Sequence, residues 1–308
     1  MGKNENGEKK RRWFETLPAL YVGACLLVFG GQLWGALSIS VIVPLLDRLY
    51  QLVKPGTGGL AESDVWITGA DYLFFVGIWA LTLIWIGCIR KNWPILSVIG
   101  PASKGNNWRY LLLGTLIGFG MNGFCILIAW LHQDIALYFN SANPGAMLYL
   151  YLVVLLQSSA EELVCRGFLY QKLLKSYQKP AVAIIGNSLL FGILHLTNPG
   201  VTVLSFLNIV IVGVLFSLMV YYMDSLWCAF AAHAAWNFTQ AILFGLPNSG
   251  MVSPYSVFRL DAGRAVNSFA YNVGFGIEGT VLADLVLFVA VVVFLVIFRE
   301  KNRRSSAA

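Results

Sequence analysis

Charge is scarce in this chain. Only 12% of its 308 residues are Asp, Glu, Lys or Arg, about half the share of a typical soluble domain. Histidine is rarer still, with three in all. The five cysteines (Cys25, Cys88, Cys125, Cys165, Cys228) fall in separate apolar runs and form no CxxC pair. That excludes a disulfide framework and a cysteine zinc site, leaving them as small buried hydrophobes. The HExxH pair of a zincin-type metal centre is missing. The terminal Ser305–Ala308 lacks the cysteine of a prenylation box, so the chain is not expected to be prenylated itself. A net charge of +6 does not point to nucleic acid, because the basic residues gather at the tips of apolar runs. No soluble domain and no internal repeat stand out.

What is abundant is hydrophobic sequence, 58% of the residues, arranged in runs long enough to cross a hydrocarbon core of about 30 Å. The first run, Leu17 to Leu46, far exceeds the core of a secretory signal and reads as an uncleaved span. Seven more follow, at about 72–89, 110–131, 146–170, 181–196, 201–222, 226–244 and 279–298. Residues 1–12 are expected to be polar and disordered, and residues 47–71 a Gly-rich loop. Basic residues mark the N-terminal tail (Lys3, Lys9, Lys10, Arg11, Arg12), the 90–109 and 171–180 segments and the tail from Arg299, whereas 47–71 and 132–145 are acidic or neutral. The positive-inside rule then gives an all-α, polytopic transmembrane helical bundle of about eight spans with both termini cytosolic. Such a chain suits a bacterial plasma membrane, an endoplasmic reticulum membrane being the other option. Three parts are expected: 1–145 with a tail and three spans, a core at 146–244, and 245–308 with an outer loop, the last span and a basic tail.

The informative stretch is Gln157-Ser-Ser-Ala-Glu-Glu-Leu-Val-Cys-Arg-Gly167, which places Glu161, Glu162 and Arg166 inside a span. An ionised side chain near a bilayer centre costs roughly 2.5–3.5 kcal/mol, so each needs a partner or a cavity. Glu162 and Arg166 share a helix face at four-residue spacing and can pair, which leaves Glu161 for something else. His195 lies in a later span with Phe191 one turn before it, and His233 in another with Asn237 one turn after it. These polar groups would most economically satisfy one another around one wet cavity, expected in the cytosolic half. A carboxylate there can take a proton from water, and His and Asn N–H groups can stabilise an oxyanion. The bound water could instead sit on a divalent metal such as zinc, with Glu161, His195 and His233 as ligands. Spacing alone leaves both open, together with a non-catalytic reading as an immunity factor, a scaffold or a small ion-coupled transporter. Asn237-Phe-Thr239 fits a glycosylation acceptor but lies within a span. His132 and Asp224 read as loop and turn residues, and Gly213 and Ser217 as close helix packing.

Glu161-Glu162-x-x-x-Arg166, Phe191-x-x-x-His195 and His233-x-x-x-Asn237, in that order, resemble the three motifs of the CAAX protease and bacteriocin-processing (CPBP, or Abi) family. That family includes the type II CAAX prenyl endopeptidases. The likeness covers roughly residues 146–240 and implies an intramembrane endopeptidase fold. It further implies Glu161 as general base on water, aided by His195, with His233 and Asn237 on the oxyanion side and Glu162 and Arg166 in support. A membrane-associated or lipidated peptide or protein is the implied substrate, met within the lipid bilayer.

Overall fold

The computed structural model describes residues 12–55 and 59–307, the side chains of Ala61 and of residues 299–307 excepted. The basic residues Lys3, Lys9, Lys10 and Arg11 and the side chains of the C-terminal tail therefore lie outside the described residues. Eleven α-helices and two short strands follow in order: α1 (Leu17–Val53), α2 (Asp64–Leu73), α3 (Val76–Cys88), α4 (Pro94–Ile99), α5 (Trp108–Leu131), β1 (Leu137–Phe139), α6 (Pro144–Glu162), α7 (Tyr170–Tyr177), α8 (Pro180–Leu194), α9 (Val203–Met223), α10 (Leu226–Asn237), β2 (Phe258–Leu260) and α11 (Val281–Ala307). Two π-helical segments, Leu163–Leu169 and Phe238–Leu243, continue α6 and α10 without a break.

Among the described residues six helices are long and apolar enough to cross a membrane: Leu17–Val53, Asp64–Cys88, Trp108–Leu131, Pro144–Tyr177, Val203–Met223 and Val281–Phe298. The chain is a polytopic helical membrane protein. The fifth and seventh expected spans are shorter, α8 with 15 residues and α10 with 12 before its π segment. The expected loop at 47–71 is largely helix instead. Residues to Val53 prolong α1 and Asp64 opens α2. Asp47, Glu62, Asp64 and Asp71 suggested a loop, but apolar residues between them continue the helices, and Val65 and Trp66 pack inward, Trp66 stacking on Tyr149. β1 and β2, which sequence periodicity did not suggest, pair antiparallel with Tyr138 opposite Arg259.

Small residues let the backbones close in, as membrane helices require where apolar burial from water gives no drive. A Cβ at Gly31 or Gly35 of α1 would strike the backbone of Ile78 or Phe74, and one at Gly77 would strike the Gly31 carbonyl. Gly114 and Gly118 of α5 likewise lie against the Cys228 and Ala232 carbonyls of α10. Helix starts are capped by side chains: Asn107 for α5, Asn143 for α6, Thr202 for α9 and Ser225 for α10. Buried Asn106 fixes α10 further. Its Oδ1 accepts from the Leu226 and Trp227 amides, and its Nδ2 donates to the Val98, Ile99 and Gly100 carbonyls. One core cluster joins α5, α9, α10 and α11, and a second joins α1, α3, α7 and α8. The motif-bearing ends of α6, α8 and α10 meet between them.

Candidate active site

The first motif straddles a change of helix type. Glu161 and Glu162 end α6, and the π segment that starts at Leu163 carries Cys165 and Arg166. A π turn widens the helix by one residue and is common at functional sites. Glu162 and Arg166 are both fully buried and pair at 2.9 Å, Arg166 Nη1 donating to Glu162 Oε1. Arg166 Nη2 donates to the Gly213 carbonyl of α9 at 3.0 Å. The guanidinium carbon lies 4.5 Å from the Phe191 ring centre and 5.6 Å from that of Phe216, so the cation is desolvated against two aromatic faces. Gly213, expected to serve close packing, thus also supplies a carbonyl to the arginine.

His233 Nδ1 stands 3.0 Å from Glu162 Oε1. A paired carboxylate only accepts, so Nδ1 carries the proton. Nε2 of the same ring is then turned toward Glu161, 3.8 Å from its Oε2. The ring stacks on Phe216 at 5.5 Å and meets Phe191 edge-on at 5.9 Å. His195 closes α8, and its Nδ1 donates to the Phe191 carbonyl at 2.8 Å, which leaves Nε2 as an acceptor. Phe191 therefore touches three motif side chains at once: Arg166 by its face, and His195 and His233 edge-on.

Glu161 is held on one side only. Gln157 Nε2 donates to its Oε1 at 2.8 Å, whereas Oε2 has no hydrogen-bond partner among the described residues. The residue lines a cavity of about 440 Å³ together with Phe191, His195, His233, Asn237 and Asp71. Asn237 does not reach Glu161 itself. Its Nδ2 donates to Gln157 Oε1 at 3.2 Å and to Ser158 Oγ at 3.3 Å. All six residues singled out from the motifs thus meet in one neighbourhood, but in two groups. Glu162, Arg166 and the Nδ1 edge of His233 form a buried, ion-paired cluster. Glu161, His195 and the Nε2 edge of His233 border the cavity.

Thr197, Asn198, Asn248, Ser249, Met251, Val252 and Ser253 also line the cavity. His195 sits at the far end of α8 from Lys179. The metal alternative finds no ligand set: among the described residues no three His, Cys, Asp or Glu side chains converge to hold an ion. Among the described residues His195 does not converge with Glu161 and His233 into a set that could hold an ion.

Several contributors escaped sequence reasoning. Gln157 bridges Asn237 to Glu161, and Phe216 stacks on His233. Asn248, Ser249 and Glu278 reach in from the 245–278 loop. Glu278 is buried at 7% exposure, and both its oxygens accept hydrogen bonds. Burial raises its pKa above the ordinary glutamate value, against the opposing effect of those donors. The one signal that could have found it is an acid three residues before an apolar helix.

Fold and site together define a helical integral membrane protein with a buried Glu–Arg–His cluster beside a polar cavity. Comparison with known sequences agrees. Residues 143–239 match the family model described as type II CAAX prenyl endopeptidase Rce1-like. That segment opens one residue before α6 and closes two after Asn237, so it contains all three motifs. The resemblance read from the motifs therefore holds over this third of the chain. The chain is also 30% identical over 141 residues to the uncharacterized protein YyaK of Bacillus subtilis (strain 168), in an alignment that covers 44% of this chain and 45% of that protein. No solved structure matches.

Proposed function

We propose that this chain is an intramembrane endopeptidase that hydrolyses a peptide bond of a membrane-associated or lipidated peptide or protein, with Glu161 as the base that activates water. The observation that carries the reading is the contrast between two adjacent carboxylates. Glu162 is fully buried and pairs with Arg166 and His233 through Oε1, while Glu161 stands at the cavity wall with Oε2 beside His233 Nε2. In this mechanism Glu161 Oε2 takes a proton from water as its oxygen attacks the scissile carbonyl carbon. The proton then passes from Glu161 to the leaving amine as the tetrahedral intermediate collapses and the C–N bond breaks. Asn237, whose amide hydrogens go to Gln157 and Ser158, serves by holding Gln157 on Glu161 rather than by facing the oxyanion. Residues 146–244 form the catalytic core of this reading, and the Bacillus relative favours a bacterial plasma membrane.

The test compares peptides from membranes and medium of cells expressing wild type or Glu161→Gln at equal folded levels. Peptide termini present only with wild type support the proposal and define the cleavage rule. Identical peptide sets in cells where the wild-type protein produces a phenotype refute it. A second reading, an ion-coupled carrier, draws on Asp71 sharing the cavity with Glu161. It predicts that Asp71→Asn and Glu161→Gln each abolish ion-dependent uptake into proteoliposomes and change no peptide.

A further inference from the structure

We infer that Glu278, outside the matched segment, is a positioning residue that sets the direction of a three-amide relay ending on Glu161. The inference rests on the endopeptidase reading of the site.

Glu278 grips two consecutive residues of the third motif. Trp236 Nε1 donates to its Oε1 at 3.1 Å. Asn248 Nδ2 lies 3.2 Å from the same oxygen and 3.2 Å from Asn237 Oδ1, so one amide nitrogen ties Glu278 to Asn237. The other carboxyl oxygen accepts from Ser249, its backbone amide at 2.7 Å and its hydroxyl at 3.3 Å. The loop is shaped to bring these groups in. Gly276 has φ +86°, where a Cβ would strike the Pro247 carbonyl, and Gly250 has φ +82°, where one would strike the Pro199 carbonyl.

The direction of the chain follows from donor and acceptor rules. A side-chain amide can turn either edge toward a neighbour, whereas an ionised carboxylate only accepts. Glu278 therefore obliges Asn248 to present its NH2 group. The second hydrogen of that NH2 meets Asn237 Oδ1, which turns the Asn237 NH2 toward Gln157 Oε1. Gln157 is left with its own NH2 toward Glu161 Oε1. Three amides thus point one way between two carboxylates, and the outcome is that Glu161 is held by Oε1, with Oε2 left to the His233 side. Glu278 also walls a compartment of about 30 Å³ with His195, His233 and Asn237, room for about one or two waters. A purely structural Glu278 would need to hold its loop but would have no reason to fix the facing of Asn237.

The experiment counts Glu161-dependent peptide termini in cells expressing wild type, Glu161→Gln, Glu278→Gln, Asn248→Ala or the Glu278→Gln/Asn248→Ala double variant, each normalised to folded protein by size-exclusion of the solubilised membrane. Glu278→Gln, which can donate as well as accept, and Asn248→Ala, which breaks the relay, are each expected to lower cleavage about tenfold or more. The double variant should fall no further than the worse single one, because both act through Asn237. Wild-type cleavage by Glu278→Gln, or losses that multiply in the double variant, overturn the inference. Should Glu278→Gln fail to fold, Asn248→Ala decides alone: undiminished cleavage overturns the relay. If Glu161→Gln removes no termini, the endopeptidase reading falls and this inference with it. If Glu161→Gln removes them and the Glu278 and Asn248 variants do not, only this inference falls.

Discussion

Replacing Arg166 with methionine keeps most of the side-chain length and apolar contact with Phe191 and Phe216 while removing the charge opposite Glu162. Breaking a buried ion pair from one side typically costs about 3–5 kcal/mol, because the remaining charge is stranded. Both partners here have no exposed surface, which argues for the upper end. Against that, Glu162 keeps the His233 Nδ1 contact at 3.0 Å. About 3–4 kcal/mol is therefore expected for Arg166→Met. At about 2–4 °C per kcal/mol for chains of 150–250 residues, the midpoint of thermal unfolding should drop by roughly 6–16 °C. Arg166 Nε and Glu162 Oε2 already lack hydrogen-bond partners among the described residues, so the pair itself is only modestly stabilising. The double variant Glu162→Gln/Arg166→Met, with no stranded charge and an acceptor still facing His233, should recover about 2 kcal/mol of the single loss. Fluorescence-detected size-exclusion after heating, in one detergent, reads all three proteins. A single variant within about 1 kcal/mol of wild type, or a double variant less stable than the single one, refutes the reasoning.

Asn106→Ala should cost about 1–3 kcal/mol in the same assay, since it removes the acceptor for the first two amides of α10 together with three carbonyl contacts to the end of α4; an unchanged midpoint would contradict its role in seating α10. Gly213→Ala puts a Cβ 3.0 Å from that of Ser188 and 3.1 Å from Arg166 Nη2, and should lose about 1–3 kcal/mol by overpacking. Tested by heating the variant beside wild type, a neutral result would show that α8 and α9 separate easily there. The Glu278 pKa lies above its ordinary 4.5 because of burial. The folded state therefore binds that proton more tightly than the unfolded one. The associated stability is fully present below about pH 4.5 and is lost as pH rises through the folded pKa. Subtracting the melting profile of Glu278→Gln from that of wild type across pH 4 to 8 should isolate this decline; a flat difference would mean that the four donors cancel burial.

The sequence made legible what depends on near neighbours. The Glu162–Arg166 pair is a four-residue relation on one helix, and it forms. Helices at Pro180–Leu194, Val203–Met223 and Leu226–Asn237 begin close to where the expected runs at 181–196, 201–222 and 226–244 begin. Illegible were relations between distant segments. Asn237 meets Gln157 across 80 positions and Trp236 meets Glu278 across 42, and no periodicity encodes either. The Asp47–Asp71 stretch misled because charge was read as a loop signal where long helices carry it past their apolar middles. The cavity wall was illegible in the way those distant pairs were, since turns at Thr197, Asn198, Asn248 and Ser249 complete it beside the motif helices.

The π segment after Glu162 lets one continuous rod carry an extra residue. A residue inserted in a regular helix rotates everything beyond it by about 100°, whereas a π turn widens to absorb it. From Pro144 to Glu162 the helix packs on α2 and α10, and from Tyr170 it turns Tyr170 and Leu173 inward against α8. Removing one residue from Leu163–Leu169 would restore a regular α-helix and leave Tyr170 and Leu173 facing inward. The cost would fall within the segment itself, where Arg166 would lose its setting against Glu162 and the Gly213 carbonyl. The widened turn thus gives the motif its own geometry without disturbing how the far end of the same helix packs.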